Sequence, residues 1–77
     1  MAEVTTVREP GGIVEIFAKR LRDERNRQGL SQQTLASNAG LSIGTVAELE
    51  GAKRDATLGT VEALADALSV PVDYLLG

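Results

Sequence analysis

Apolar positions recur along this chain at helical spacing, and polar breaks separate the stretches that carry it. Ile13, Phe17 and Leu21 stand four residues apart and predict a first helix from about Ile13 to Gln28 with that line buried. Arg25 continues the same line. A charge on a core-facing stripe needs a partner, because an unpaired buried charge is very costly. Lys19, Arg22 and Arg27 point elsewhere. Gly29 ends the helix and Leu30 turns the chain inward. Ser31 then caps a second helix, with Gln32 and Gln33 in its first turn and Leu35, Ala36 and Ala39 on one face. Gly40 stops it where left-handed backbone costs least. Leu41 points inward, and Ser42 caps a third helix over residues 42–50, whose inner face is Val46 and Leu49. Glu50 lies on that inner side too and needs a partner of its own. The economical expectation is that Arg25 and Glu50 form a structural ion pair.

After the polar loop GAKRDA at residues 51–56, Thr57 caps a fourth helix. Leu58, Val61, Leu64, Ala65 and Leu68 give it a buried face, while Gly59 works against it by propensity. Ser69-Val70-Pro71 breaks the pattern, with Pro71 suited to the first position of a fifth helix. Val72, Tyr74, Leu75 and Leu76 follow as apolar surface. Residues 1–12 lack a sustained period and end in Pro10-Gly11-Gly12, so they are expected to form a flexible N-terminal arm before a folded domain at 13–77. No stretch has strand period. The expected fold is all-α, a compact bundle of five helices.

The middle of the bundle has a recognisable form. Ala36 is small where two steeply crossing helices need close approach. Gly40 follows four residues later, and a capped helix then places apolar residues six and nine positions past that glycine. This is the helix-turn-helix pattern.

Composition narrows the chemistry. The chain has 77 residues with no cysteine and no histidine, so Ser-His-Asp and Cys-His catalysis, disulfides and thiol or imidazole metal sites are all excluded. The carboxylates Asp23 and Glu24 are adjacent and diverge by about 100° on a helix. No glycine-rich phosphate loop follows a strand. No catalytic residue, metal ligand or cofactor is therefore expected, and an enzyme is the least supported class. No apolar run approaches the ~20 residues of a membrane span. No charged-apolar-small leader opens the chain either, which leads us to expect a cytoplasmic protein, on the nucleoid when bound to DNA. Net charge is −3, but its distribution is uneven. Arg8, Lys19, Arg20, Arg22, Arg25 and Arg27 precede residue 30, Lys53 and Arg54 supply the remaining cations, and none follows Asp55. Such polarity suits a basic face towards phosphates and an acidic face away from them.

From about Phe17 to Leu76 the chain resembles the Xre/Cro–cI-type helix-turn-helix domain of bacterial and phage repressors, a lambda-repressor-like fold. The resemblance is carried by Leu21, Arg25, Gly29-Leu30-Ser31-Gln32, Leu35-Ala36, Gly40-Leu41-Ser42, Thr45-Val46, Leu49-Glu50 and the closing run from Leu64 to Leu76. It implies a five-helix domain that binds double-stranded operator DNA as a homodimer. It also implies a pair between a helix 1 arginine and the glutamate ending the recognition helix, at the positions of Arg25 and Glu50. Gln32 takes the place of a backbone-contacting glutamine, and Lys53 and Arg54 lie in the loop that follows phosphates. The chain departs from the pattern at Ala52 and Ala56, where glycine and proline are usual, and at Glu24, where the residue is often apolar.

With Val46 and Leu49 inward, Ile43, Gly44, Ala47, Glu48 and Gly51 face outward, with Thr45 at the flank. No arginine, lysine, asparagine or glutamine is among them, so the usual readers of guanine and adenine are missing. Ile43 suits a thymine methyl, Glu48 suits cytosine N4, and Gly44 permits close approach to a groove. The expected DNA-binding set is Gln32, Gln33, Ser42, Ile43, Gly44, Thr45, Ala47, Glu48, Lys53 and Arg54, with helix 42–50 in the major groove. Val72, Tyr74 and Leu76 are the candidate dimer interface. These features point to a sequence-specific transcriptional regulator, most simply a repressor. A restriction–modification controller protein is a narrower version, and phage or plasmid repressors and antitoxins are open too. The other class is a protein-interaction module on the same scaffold, using Ile43 and Ala47 as contact surface.

Overall fold

The computed structural model describes residues 12–77. The expected N-terminal arm therefore lies outside the described residues, apart from Gly12. The helices are α1 (Ile13–Arg27), α2 (Gln32–Ala39), α3 (Ile43–Glu50), α4 (Leu58–Leu68) and α5 (Val72–Leu76).

Three of them start by one device. The hydroxyls of Ser31, Ser42 and Thr57 accept the backbone N–H of Thr34, Thr45 and Thr60, respectively. Each also meets the hydroxyl of that same threonine, at 2.9, 2.8 and 3.0 Å. A hydroxyl cap of this kind is worth about 1 kcal/mol. Four helices also stop alike. A residue in left-handed conformation follows the last turn, and the next N–H returns to the carbonyl five residues back: Leu30 to Arg25, Leu41 to Ala36, Lys53 to Glu48 and Val70 to Ala65. Glycine serves at Gly29 and Gly40. At the other two ends the left-handed residue is Ala52 (φ 57°) and Ser69 (φ 59°), which pay the steric cost of a Cβ there.

One cluster forms the core. Phe17 and Leu21 of α1 meet Leu35 and Ala36 of α2, Val46 and Leu49 of α3, Val61, Leu64, Ala65 and Leu68 of α4 and Leu75 of α5. Leu30, Leu41 and Val70, each next to a left-handed turn residue, pack against this cluster. α1 packs on α3 and α5, α2 on α3 and α4, and α4 on α5. α3 is thus held from behind by α1 and α2 with its other side left open.

The structure corrects the sequence pattern at five points. Ile13 is 61% exposed and Leu58 79% exposed, although both continue an apolar stripe. Each is the first residue of its helix, and no described element covers it. With Val14, Phe17, Ala56, Val61 and Leu76 they line a shallow apolar groove of about 350 Å³. α1 ends at Arg27, with Gln28 as its cap, and α3 begins at Ile43, with Ser42 outside it as the cap. Pro71 has ψ 153° and is likewise the cap of α5, not its first residue. No helix among the described residues is long and apolar enough to cross a membrane.

Candidate nucleic-acid interface

α3 divides cleanly into two sides. Val46, Leu49 and Glu50 are buried, while Ile43, Gly44, Ala47 and Glu48 are exposed and Thr45 is half-buried. Glu50 fixes the far end. Its carboxylate accepts from Arg25 Nε at 2.6 Å and Arg25 Nη2 at 3.0 Å, a two-pronged pair. Gln32 Nε2 of α2 donates to the same carboxylate at 3.1 Å, and Arg22 Nη1 donates to the Glu50 carbonyl at 3.1 Å. Arg25 has a further bond to the Leu30 carbonyl at 2.7 Å. Glu50 therefore ties α3 to both helices behind it, and Gln32 sits at the junction of this network and the surface. Gln33, beside it, is exposed.

The outer edge has its own network. After Ala52 the chain turns back, and Arg54 lies alongside α3. Its Nη1 donates to Glu48 Oε1 at 3.0 Å and reaches Thr45 Oγ1 at 3.4 Å. Thr45 Oγ1 in turn meets Ser42 Oγ at 2.8 Å. Four of the residues expected to meet DNA, Ser42, Thr45, Glu48 and Arg54, are thus joined in one line along the helix. Lys53 is exposed next to them. No group of three or more histidine, cysteine, aspartate or glutamate side chains among the described residues is arranged to hold a metal ion.

Sequence reasoning missed a second ion-pair site. Glu24 is buried on α1, where its carboxylate accepts from Arg27 and from Gln28 Nε2 (2.8 Å). Gln28 also donates to the Leu68 carbonyl at 2.7 Å, which joins α1 to the end of α4. Bonds from Arg27, then Gln28, hold the Glu24 carboxyl down to about 2 against the opposing effect of burial. The signal was present as i, i+3 and i, i+4 spacing to Arg27 and Gln28, and in the position itself, three residues after Leu21 and at a place where the resembling family is often apolar.

On α5, Leu75 is fully buried, Val72 and Tyr74 are exposed, and Leu76 lines the apolar groove. Arg20 holds this helix against α1. It donates to the Tyr74 carbonyl at 2.9 Å, and its guanidinium lies 5.5 Å from the centre of the Tyr74 ring.

A family model described as a helix-turn-helix domain matches residues 16–75, from α1 to α5. The chain belongs to the helix-turn-helix family of DNA-binding transcriptional regulators. Among known members it is 41% identical over 64 residues to the control protein C.SmaI of Serratia marcescens, covering 83% of this chain and 76% of that one. The crystal structure of the restriction–modification controller protein C.AhdI from Aeromonas hydrophila superposes with a TM-score of 0.78 at 37% identity, covering 80% of this chain and 94% of that one. The hypothetical transcription factor NHTF from Neisseria gives a TM-score of 0.84 at 26% identity, over 99% of this chain and 87% of that one. These relatives are named as control or controller proteins and a transcription factor.

Proposed function

We propose that this protein occupies operator DNA as a homodimer, with α3 in the major groove, and that it controls transcription chiefly by repression, in the manner of a restriction–modification controller protein. The observation that carries this is the two-sidedness of α3. Its inner side is locked by the core and by Glu50, while its outer side is open and edged by Lys53 and Arg54. A rigid helix presented this way fits the major groove of B-DNA. The similarity to C.SmaI and C.AhdI favours the controller type. Gln32, Gln33, Ser42, Thr45, Lys53 and Arg54 serve phosphate contacts. Ile43, Gly44, Ala47 and Glu48 approach the bases, and DNA shape supplies further discrimination. The protein works in the cytoplasm, on the nucleoid.

The homodimer forms through α5, where Val72 and Tyr74 are exposed and Leu76 continues into the groove bounded by Ile13 and Leu58. A two-fold axis there sets two α3 helices about 34 Å apart, one turn of DNA. Selection of bound sequences from random duplex DNA tests both parts, and a palindromic consensus is expected. Sedimentation as a monomer at high micromolar concentration, with and without DNA, would remove the dimer.

One observation favours a second function. Ile43, 49% exposed, is a large apolar residue at the start of the outer side of α3. A protein partner docking on Ile43 and Ala47 would bind with little salt dependence. DNA binding weakens steeply with salt through counterion release.

A further inference from the structure

We propose that Glu48 is a specificity-determining residue that works by holding Arg54, and that it releases this arginine to phosphate only on duplexes that present a cytosine amino group to α3. The inference rests on the DNA-binding function proposed above. Glu48 is the one carboxylate on the open side of α3, and Arg54 reaches back from the loop to bond it at 3.0 Å while also touching Thr45. Both side chains are about half-exposed, at 54% and 48%. Exposed ion pairs are weak and open readily, so this one is suited to exchange partners rather than to support the fold.

The exchange has two sides. On DNA that offers no donor to Glu48, opening the pair leaves a carboxylate facing the phosphate backbone. Repulsion then favours the closed pair, in which the Arg54 charge is spent on Glu48. Cytosine N4 is the base-edge donor in the major groove that best matches a carboxylate. When it takes the place of the guanidinium on Glu48, Arg54 becomes free for a phosphate, so one base identity is coupled to one phosphate contact. This compensates for a helix whose other outward residues, Ile43, Gly44 and Ala47, carry no hydrogen-bonding side chain. Arg54 on this account is a positioned cation whose availability Glu48 sets.

The test compares the full chain with Glu48→Gln, Glu48→Ala, Arg54→Ala and the double variant Glu48→Gln/Arg54→Ala. Each is taken through selection from random duplexes and anisotropy titration on a non-specific duplex over a range of salt. The wild type is expected to select a cytosine at one position per half-site. Glu48→Ala loses that preference, and Glu48→Gln moves it towards adenine, the base an amide matches. Both bind non-specific DNA more tightly, by roughly threefold to tenfold, with a log–log salt slope steeper by about 0.9, one additional phosphate contact. The steepening is absent when Arg54 is also replaced. If the wild type selects an operator and the Glu48 variants select the same one with unchanged slope, this proposal fails while DNA binding stands. If no protein in the set binds any duplex at low salt, the DNA-binding function fails and takes this proposal with it.

Discussion

Two glycines at matched positions separate what α3 does for the fold from what it does for DNA. Gly44 is the second residue of α3, after the Ser42 cap, and Gly59 is the second residue of α4, after the Thr57 cap. A Cβ at Gly44 would meet only Ser42 Oγ at 4.0 Å, and one at Gly59 only Thr57 Oγ1 at 3.9 Å. Neither methyl displaces anything, so each Gly→Ala change acts through backbone entropy alone. Gly→Ala in a helix is worth roughly 0.5–1 kcal/mol, and the first turn belongs at the lower end of that range. In a domain of this size that raises Tm by roughly 2–8 °C. Gly44→Ala and Gly59→Ala should therefore stabilise the protein alike, as read by thermal unfolding with circular dichroism. Their effects on DNA should differ. Gly44 lies on the open side of α3; with α3 docked in the groove as proposed, a methyl there would be crowded, and a loss of about 1 kcal/mol, near fivefold in Kd, is expected. Gly59→Ala should leave Kd unchanged. Equal Kd for the two variants would refute the placement of α3 in the groove. Destabilisation by either would refute the claim that their surroundings are open.

Further outcomes follow from the ion pairs, the core and the turns. Arg25→Ala or Glu50→Ala strands a mostly buried charge and should each cost about 3–5 kcal/mol in urea unfolding, a large part of the ~4–12 kcal/mol expected for a chain of this length. The double variant should cost clearly less than the sum, and strict additivity would disprove the coupling. The Glu24 carboxyl titrates near 2 when folded, below the usual 4.5, so it adds stability that is complete above about pH 4.5 and is lost as pH falls towards 2. Tm measured between pH 2 and 6 should fall less steeply for Glu24→Gln than for the wild type, and parallel curves would contradict this. Leu64→Ala, at a fully buried position, should cost about 2–5 kcal/mol. Ala52→Gly should raise stability by about 0.5–1 kcal/mol by relieving the left-handed alanine, and a loss on chemical denaturation would count against that strain.

The helices were legible because their ends are set by neighbours in sequence. Ser31, Ser42, Thr57, Gly29 and Gly40 act within five residues of where they stand, and each could be placed without knowing the tertiary structure. The pairing of Arg25 with Glu50 was also accessible, since two charges on inward faces demand each other. What stayed hidden depends on position in space. Ile13 and Leu58 carry the right period but stand at the first position of their helices with no described element over them, which periodicity does not register. Glu24 stands three residues after Leu21, on the inward stripe, but its residue type argues for solvent until Arg27 and Gln28 are seen to hold its carboxylate. The partnership of Arg54 with Glu48 depends on the direction of the chain after Ala52, an alanine in a conformation its residue type does not announce. The outward residues Ile43, Gly44 and Ala47 carry no base-reading group in the sequence itself, while the charged contact to Glu48 comes from Arg54 in the loop.

The repeated way in which these helices begin and end has a consequence for how the domain forms and how it is inherited. Three starts of the Ser/Thr-x-x-Thr type and four closures by an N–H returning five residues use only short-range contacts. Such signals do not depend on distant segments, and domains dominated by local contacts fold in microseconds to milliseconds. The same economy leaves most positions free to drift. A handful of hydroxyls, left-handed turn residues and apolar contacts defines where each helix begins, ends and faces.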